Sequence, residues 1–473
     1  MQNFLRSLYI LIAAISVLNC TVIAYAQTGF DRYLAKDSTY RFNSSPITLD
    51  SLIRTSPDYT SRDTAFYNSY GKAEVVTLTQ LMYLAVNNNP ELTVLQNKID
   101  ASRVAQQEKG YLPDPMLEVE TDDVMSDFSK VGMINFYASQ MFPFPGKLEL
   151  ETETAMHNKD MMSWEKLSMA AETMNMVKQN FYDLYFNTKK LSVNAENQLL
   201  IKTFITAAES KYSVGKGMQQ DVFKSQIELS RLTNEEFVLK QQRKNIYSAL
   251  TKLTKTAIDD KTSVNFSEIN TDYLLDSNSF EMSEREVTRL VDYAFLHRAD
   301  LKVIEHKELM SKTDIQMAEL SRMPDFNVKI GYKILPFEDK NAFSFMVGIN
   351  VPIAPWSSGK YDFAIQKSKI DAKTAVLECA AKQNEIKSSV ETITGNLRQA
   401  KETMRYYYGV LMPQTENTLK STQYSYENSM TGFMDLLDSY RMYQEAKLMY
   451  YESVTMYLKM IAELEFAAGL NIK

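Results

Sequence analysis

Four segments of the chain alternate between apolar and polar residues, the pattern of a β-strand whose two faces lie in different surroundings. They fall at about residues 117–122, 133–142, 326–333 and 343–351. Alternation of this kind is typical of strands in a membrane barrel, with apolar side chains toward lipid and polar ones toward a lumen. A half-buried sheet in a soluble protein gives the same pattern, so the alternation alone leaves both structures open.

The segments that follow each pair of strands predict very long helices. Residues 147–212 contain neither proline nor glycine, and an unbroken helix of that length would extend about 100 Å. Residues 361–429 form the second long helical segment, interrupted only by Gly395, Gly409 and Pro413. Helices this long cannot be buried in a globular core and need partners along their length, as in a coiled coil or a barrel of helices. The two helical hairpins are predicted to turn at Gly215, Lys216 and Gly217 and at Met430, Thr431 and Gly432.

The order of elements predicts an internal duplication. Each half consists of a first helix (78–110 or 284–322), two strands and a helical hairpin, and each begins with a capping box, formed by Thr77 and Gln80 or by Ser283 and Glu286. Landmarks recur in order: Leu81, Ala85 and Leu92 match Leu290, Ala294 and Leu301; Pro113-Asp114 matches Pro324-Asp325; Gly146-Lys147 matches Gly359-Lys360; Tyr212, Asp221 and Ser225 match Tyr426, Asp435 and Ser439. We assign the first repeat to residues 77–282, with a β-hairpin at about 112–143 and a helical hairpin at 147–256, and the second to residues 283–473, with corresponding hairpins at about 325–353 and 361–468.

The first 26 residues have the pattern of a secretory signal. Arg6 precedes a mostly apolar stretch, and Ala24-Tyr25-Ala26 forms a small-x-small cleavage site. An uncleaved anchor helix is the alternative for this segment. Cys20 follows a sequence that loosely resembles a lipobox, which leaves lipidation open. Residues 27–76 are polar and are predicted to form an irregular arm.

Composition restricts the chemistry. The net charge of −7 argues against nucleic acid as a partner. The three His residues lie in predicted helices without metal-ligand spacing, and no nucleophile elbow or phosphate loop is present. The 26 Met residues suit flexible packing between helices, with a soft-metal path through their thioethers as the alternative. We therefore expect no enzyme activity, cofactor or metal site.

The duplication provides too few strands to close a barrel within one chain. Two hairpins give four strands, which cannot close a barrel, and an open sheet edge is not viable in lipid. Because the chain carries an export signal and the strands are long enough to span a bilayer, other copies of the chain are expected to supply the missing strands of the barrel. The sequence therefore favours an oligomeric membrane channel.

The chain resembles the TolC family of outer-membrane efflux proteins over nearly all of the segment after the signal. The matching motifs are Asn88-Asn89-Pro90-Glu91-Leu92, the paired Pro-plus-Gly-Lys junctions and the two Tyr-to-Asp hairpin turns. The segments Leu112–Met116 and Gln140–Lys147 are similar to the heavy-metal branch, which is CzcC- or CusC-like.

This resemblance implies a mainly α fold with membrane β-strands. Each subunit of a homotrimer would give four strands to a twelve-stranded barrel in the cell outer membrane, in contact with its lipid, and helices to a periplasmic tunnel. The tunnel would dock on a periplasmic adaptor protein and an inner-membrane RND-type pump, with the hairpin tips at Gly215–Gly217 and Met430–Gly432 as the adaptor contacts.

The resemblance also implies a periplasmic gate. Asp435 and Asp438 match two acidic residues that ring the pore, while Tyr426 and Asp221 match positions that hold the tunnel end shut through hydrogen bonds between coils. This chain departs from the pattern, since Thr431 stands in the place of an Arg and Ser429 replaces the usual turn Gly. The alternative is that Asp435 and Asp438 are solvated acids in the first turn of a helix, where they suit the helix dipole.

Three functions are therefore considered. The leading prediction is a passive exit duct of a tripartite efflux pump for metal cations or drugs. The second is the outer-membrane exit of type I protein secretion, which has the same architecture and a different partner. The third is a secreted coiled-coil scaffold with a small soluble sheet.

Overall fold

The computed structural model describes residues 75–124, 131–267, 269, 271–276, 283–335, 340–352, 355–356 and 358–469. The predicted signal segment 1–26, Cys20 and nearly all of the predicted arm lie outside these residues. The last two residues of the arm, Val75–Val76, are not irregular as predicted. They form a short strand in parallel with Ser263–Val264, because this pairing satisfies backbone groups of both segments.

The elements of the described chain follow in order. They are β1 (Val75–Val76), α1 (Leu78–Asn87), α2 (Pro90–Glu108), β2 (Met116–Val124), β3 (Val131–Phe142), α3 (Lys147–Ser213), α4 (Gln219–Thr254), β4 (Ser263–Val264), α5 (Thr271–Asp276), α6 (Glu284–His297), α7 (Ala299–Leu320), β5 (Phe326–Leu335), β6 (Lys340–Ile349), α8 (Ser358–Tyr406), a π-helical segment (Tyr407–Leu411), α9 (Met412–Glu427) and α10 (Phe433–Ala468).

The chain divides into two compact units. The sheet unit contains the described residues of 109–152 and 316–365, including β2, β3, β5 and β6. The helical unit contains the described residues of 56–108, 153–315 and 366–473. The order of helix pair, strand pair and helical hairpin occurs twice along the chain, as the duplication predicts. The repeat boundaries at 282 and 283 stay a prediction.

Each predicted first helix is in fact a pair of helices. The prediction of one helix from 78 to 110 was wrong because the chain breaks at Asn88 and Asn89, between α1 and α2. The residue before a proline is disfavoured in the helical conformation, and Pro90 has no N–H to continue the hydrogen-bond ladder. Pro90 instead begins α2, where a missing N–H has no consequence.

The second pair breaks without a proline. The single helix predicted over 284–322 ends at His297, and Arg298 has extended backbone angles before α7 begins. The Arg298 guanidinium is buried, donates to the Ala467 carbonyl oxygen at 3.0 Å, and forms two hydrogen bonds with the Asp300 carboxylate. Tertiary contacts of one side chain therefore produce the break that a proline produces in the first half.

Both predicted capping boxes are confirmed. The Thr77 backbone N–H donates to Gln80 Oε1 at 2.8 Å, and the Gln80 N–H donates to Thr77 Oγ1 at 3.4 Å. At the start of α6, the Ser283 N–H donates to Glu286 Oε2 at 2.7 Å. Each box satisfies backbone donors that the first helical turn leaves free.

The four predicted strands form one antiparallel sheet in the order β2-β3-β5-β6. The register keeps the alternating residues on common faces: Val119 lies opposite Phe136, Phe136 opposite Tyr332, and Tyr332 opposite Phe343. A slip of one residue would move every apolar side chain to the other face. The pairing of β3 with β5 joins the two halves of the chain in one sheet.

The edge strands of this sheet expose apolar side chains. On one face, the following residues of β2 and β6 are more than half exposed: Leu117, Val119, Phe343, Phe345, Val347 and Ile349. On the other face, the polar side chains of Asn135, Tyr137 and Ser139 are buried. An uncovered apolar surface of this extent marks contact with a partner or a membrane.

The polar face is closely packed around Gly331. A Cβ atom at this position would lie 2.5 Å from Ser344 Oγ and 2.6 Å from the Tyr137 ring. The absence of a side chain lets the Tyr137 ring lie across β5. The Lys329 ammonium lies 4.3 Å from the centroid of the same ring and forms an ion pair with Glu118.

Two landmark motifs meet where the strands end. Lys147, after Gly146, donates to Asp325 Oδ1 at 2.7 Å, and the Phe144 backbone N–H donates to the same oxygen at 2.8 Å. The Lys147 and Asp325 side chains are 14% and 16% exposed. This largely buried ion pair fixes the end of β3 to the start of β5.

The predicted helical hairpins are confirmed. Helix α3 has 67 residues and α4 has 36, with the first turn between them. In the second half, α8 continues through Gly395, and the π-helical segment lies just before Pro413 near the start of α9. A π-segment accommodates the loss of the proline N–H without ending the helix. In the described part of the chain, no helix combines the length and apolar character required to cross a bilayer.

Replacing Gly331 by Ala tests the packing of the polar face. The added Cβ would overlap Ser344 and Tyr137, so we expect a loss of about 1–3 kcal/mol of stability, typical of overpacking. Gly348→Ala is the matched control on the same face, because its Cβ would lie 3.9 Å from the nearest atoms of Asn327. The heat-unfolding midpoint of the purified protein in detergent should fall for Gly331→Ala only. Equal midpoints for both variants would contradict the packing described above.

Candidate functional site

The turn of the first helical hairpin depends on two glycines. Gly215 has a positive φ of +73°, which glycine adopts without strain. A Cβ at Gly217 would lie 2.9 Å from the Lys211 Cβ. The N–H groups of Lys216 and Gly217 both donate to the Lys211 carbonyl oxygen, which satisfies one of the free carbonyls at the end of α3.

The turn of the second hairpin uses a strained serine. Ser429 has a φ of +60°, a conformation that costs a residue other than glycine about 1–2 kcal/mol. The Met430 N–H donates to the Ser425 carbonyl oxygen at 2.8 Å and closes the end of α9. The Met430 side chain is 74% exposed, whereas the Thr431 hydroxyl is buried and has no hydrogen-bond partner among the described residues.

Lys211 joins the two hairpin turns. Its ammonium donates to the Tyr426 carbonyl oxygen, donates to Ser429 Oγ at 3.2 Å, and lies 4.2 Å from the centroid of the Tyr426 ring. The contact therefore combines charge-assisted hydrogen bonds with a cation–π interaction. The strained turn at Ser429 is thus held by a residue from the other half of the chain.

Tyr426 and Asp221 lie near each other without a hydrogen bond. Tyr426 is 5% exposed, packs edge-on against Phe433, and has no partner for its hydroxyl in the described part of the chain. Burial, followed by the nearby charge of Asp221, raises the pKa of the Tyr426 phenol. The structure therefore brings this predicted pair together, and leaves a buried donor that costs about 1–3 kcal/mol while unpaired.

Asp435 and Asp438 lie at the start of α10. Asp435 Oδ2 accepts a hydrogen bond from the Gly432 N–H at 3.2 Å, so this carboxylate caps its own helix. The Asp438 side chain is 60% exposed, and its Oδ1 lies 4.0 Å from the Arg441 guanidinium. Within one chain, Asp435 has the contact expected of a first-turn acid, whereas Asp438 lies in the second turn of α10 and has the i, i+3 contact of a helical ion pair.

A buried carboxylate that the sequence analysis missed lies near Asp438. Glu228 on α4 is 1% exposed and accepts hydrogen bonds from Arg231 Nε at 2.9 Å, from Arg231 Nη2 at 2.6 Å and from Arg441 Nη2 at 2.9 Å. Arg441 belongs to α10. Glu228 therefore links the returning helices of the two hairpins, and Arg441 lies between it and Asp438.

The Glu228 cluster is electrostatically balanced. Burial alone would raise the pKa of the Glu228 carboxyl, but the hydrogen bonds and charges of Arg231 and Arg441 outweigh it and lower the pKa below its ordinary value. Both arginines are about half exposed, so they keep contact with water while they neutralise the buried charge. This arrangement stabilises a carboxylate that an isolated buried position would not tolerate.

Solved structures share this architecture. VceC from Vibrio cholerae has 12% sequence identity, a TM-score of 0.69, and covers 84% of this chain and 97% of its own. The corresponding values are 13%, 0.70, 83% and 92% for CusC, and 14%, 0.66, 84% and 89% for the open state of the MtrE outer-membrane channel from Neisseria gonorrhoeae. No protein-family profile and no curated sequence matches the chain.

The chain has the fold of an outer-membrane channel. The predicted mainly α architecture with one four-stranded sheet is therefore confirmed, as is the resemblance to TolC-type channels at the level of fold. Of these structural neighbours, MtrE is an outer-membrane channel, and CusC forms a transmembrane channel.

The residues missed by the sequence analysis differ in how far a local sequence pattern indicates them. Glu228 and Arg231 have the i, i+3 spacing of a helical ion pair, but that spacing is common on exposed helices and does not predict burial. Arg441 and Lys211 reach their partners across the two repeats, and no local pattern marks them. Tertiary packing alone selects them.

The histidines also show an arrangement that their spacing hides. His157 on α3 and His306 on α7 have ring centroids 5.8 Å apart, and the Nδ1 atoms of both are buried without hydrogen-bond partners among the described residues. Within these residues, no group of three or more His, Cys, Asp and Glu side chains could hold a metal ion. The pair is a packed contact between two helices.

Replacing Glu228 by Gln tests the link between the hairpins. The loss of charge-assisted hydrogen bonds should lower stability by about 2 kcal/mol. Because the folded-state pKa of Glu228 is lowered, its contribution is complete above the unfolded value of about 4.3 and is lost as pH falls through the lower folded value. The wild type should therefore lose more stability on acidification than Glu228→Gln.

The measurement is urea unfolding of the detergent-solubilised protein followed by helical circular dichroism, from about pH 3 to pH 7, the range that brackets carboxylate titration. Glu235→Gln is the control, since Glu235 lies on the same helix, 33% exposed and 3.5 Å from Arg231. If both variants follow the wild-type pH dependence, Glu228 does not stabilise the contact between hairpins.

Proposed function

We propose that the chain is one protomer of a homotrimeric channel in the cell outer membrane. The single observation that carries this proposal is the four-stranded sheet, whose edge strands β2 and β6 expose apolar side chains on one face while Asn135, Tyr137 and Ser139 of the inner strand β3 are buried on the other. In water the apolar face would be unfavourable by about 25 cal/mol for each Å² of exposed area. In a bilayer the same face is the favourable one.

The edges of the sheet support the number of copies. β2 and β6 are the outer strands and have no neighbour on one side in the described sheet. Unpaired backbone N–H and C=O groups each cost several kcal/mol in lipid. Three copies would place twelve strands in a closed barrel, the arrangement that the TolC resemblance implies, and leave no free edge.

The proposed role is a passive exit duct. The long hairpins would form a periplasmic tunnel that receives substrates from a periplasmic adaptor protein and an inner-membrane RND-type pump. Exposed apolar side chains at the tips, which include Val214, Met218 and Met430, provide a surface for the adaptor beside Gly215–Gly217 and Thr431–Gly432. The similarity to CusC and the heavy-metal-type motifs favour metal cations among the cargo, with drugs as the other class.

The gate is assigned to the start of α10. In a trimer, Asp435 and Asp438 would repeat three times around the tunnel end and concentrate negative potential there. Tyr426 and Asp221, together with the Lys211 contact, would hold the two hairpins against each other at the same end of the tunnel. Lys211 thus takes the part of the Arg that Thr431 replaces.

Two other functions give different observations. An exit for type I protein secretion would keep the architecture, and deletion would abolish release of a secreted protein instead of causing metal or drug sensitivity. A secreted coiled-coil scaffold would dissolve in aqueous buffer. The exposed apolar face of the sheet argues against the scaffold, and no part of the proposal involves enzyme activity.

The proposal is tested with the full-length protein, including its predicted signal segment. We expect it in the outer-membrane fraction, soluble only with detergent, with the mass of a trimer by light scattering, and with ion conductance in planar bilayers. A monomer that dissolves without detergent and conducts no ions would disprove the channel.

Replacing Asp435 and Asp438 together by Ala tests the gate. Removing the proposed ring of carboxylates should weaken the block of single-channel current by divalent cations and raise the blocking concentration at least about tenfold, equivalent to 1.4 kcal/mol. Glu284→Ala combined with Asp292→Ala is the control, because it removes the same charge from exposed positions of α6. Unchanged block in the Asp435 and Asp438 variant would remove these residues from the gate.

A further inference from the structure

The ion pair between Lys147 and Asp325 joins the end of one repeat's strands to the start of the next. Lys147 lies just after β3 and Asp325 just before β5, and β3 and β5 are neighbours in the sheet. Both side chains are largely covered. The contact therefore belongs to the junction between two consecutive strand pairs.

The duplication supplies a second Lys and a second Asp at matching positions. Lys360 follows Gly359 after β6, as Lys147 follows Gly146 after β3, with four more residues between Pro352 and Gly359 than between Pro143 and Gly146. Asp114 follows Pro113 before β2, as Asp325 follows Pro324 before β5. Asp114 and Lys360 are both exposed, and neither forms an ion pair within the described residues.

These two residues cannot meet in one protomer. β2 and β6 are opposite edges of the sheet, separated by β3 and β5. Three strand spacings amount to about 14 Å. The strand pairing that corresponds to β3 with β5 is therefore β6 of one copy with β2 of the next copy.

We infer that Asp114 of one protomer forms an ion pair with Lys360 of a neighbouring protomer, where β2 and β6 pair in antiparallel orientation. This inference rests on the proposed trimeric barrel and specifies its subunit interface. In the inferred register, Val119 lies opposite Val347 and Leu117 lies opposite Ile349.

The register follows from the pairing already present. Ala138 lies opposite Ile330 in the β3–β5 pair. Matching Pro143 to Pro352 carries Ala138 to Val347, and matching Pro324 to Pro113 carries Ile330 to Val119.

The same residue matches between the repeats also reproduce the observed register of β5 with β6. They carry the pair Met116 and Ser139 of the first hairpin onto Asn327 and Gly348 of the second, which are opposite each other in β5 and β6. The correspondence between the strands of the two repeats is thus correct at the level of single residues.

The inferred register also keeps the faces of the sheet continuous. Leu117, Val119, Val347 and Ile349 belong to the exposed apolar face and are 58–78% exposed in one chain. On the other face, Glu118 comes opposite Gly348. A shift by one residue would set polar side chains against apolar ones across the interface.

Charge reversal tests the ion pair. Lys360→Glu and Asp114→Lys should each lower the temperature at which the detergent-solubilised trimer dissociates, because each places like charges together. The combination of both substitutions should restore that temperature. Lys367→Glu, a reversal at another exposed position of α8, is the control. If the double variant is no more stable than the single ones, the two residues do not meet.

Cysteine cross-linking tests the register. Directly opposite residues in an antiparallel pair have Cα atoms about 4.5–5.5 Å apart, which is within disulfide range. Val119→Cys with Val347→Cys, and Glu118→Cys with Gly348→Cys, should give cross-linked dimers and trimers on denaturing gels after oxidation, from at least one of the two pairs. Val119→Cys with Phe343→Cys lies four residues out of register and should remain monomeric.

The outcomes separate this inference from the proposed function. If the wild type is a conducting trimer and neither in-register pair cross-links, or the out-of-register pair does, the register is wrong and the channel stands. If the wild type never forms trimers, the proposed function fails first.

Discussion

Backbone hydrogen bonding at the edges of one four-stranded sheet is the constraint on which the structure depends. The sheet exposes apolar side chains of its edge strands on one face and buries Asn135, Tyr137 and Ser139 on the other. In the proposed channel, the apolar face contacts lipid and the polar face lines the lumen. Lipid would offer no hydrogen-bond partners to the free edges of β2 and β6. The proposed channel therefore completes the sheet only beside other copies, and the ends of its strands must be fixed accurately enough for the edges to match.

The duplication can satisfy this constraint because it places the same two junction residues, a Lys and an Asp, twice in the chain. Within the chain, Lys147 and Asp325 fix β3 to β5; between chains, the matching Asp114 and Lys360 are free to do the same. The two halves differ in what separates the two helices that precede their strands. A proline separates α1 from α2, whereas the buried guanidinium of Arg298 separates α6 from α7 through hydrogen bonds to Ala467 and Asp300. The same backbone break is thus obtained by local restriction in one half and by tertiary contact in the other.

The helical hairpins are joined at their tips by a few charged contacts between the halves. Lys211 reaches the strained turn at Ser429, and Glu228 is held by Arg231 on its own helix and by Arg441 on the other hairpin. A buried carboxylate is stable only while its partners remain, because breaking such a pair leaves an uncompensated charge. These contacts link the two hairpins, and they place Arg441 between Glu228 and the exposed Asp438.

The sequence by itself determined the four strands, the long helical hairpins, their turns and their capping boxes, because alternation, helical length and glycine placement act through neighbouring residues. It also indicated Asp435, Asp438, Tyr426 and Asp221, through a resemblance that the fold supports. Only the tertiary structure decided the break at Arg298, the link through Glu228 and the contact of Lys211 with the second turn. Each of these depends on which distant side chain arrives at a buried charge or a free carbonyl, and burial is a property of the packed chain that no local pattern contains.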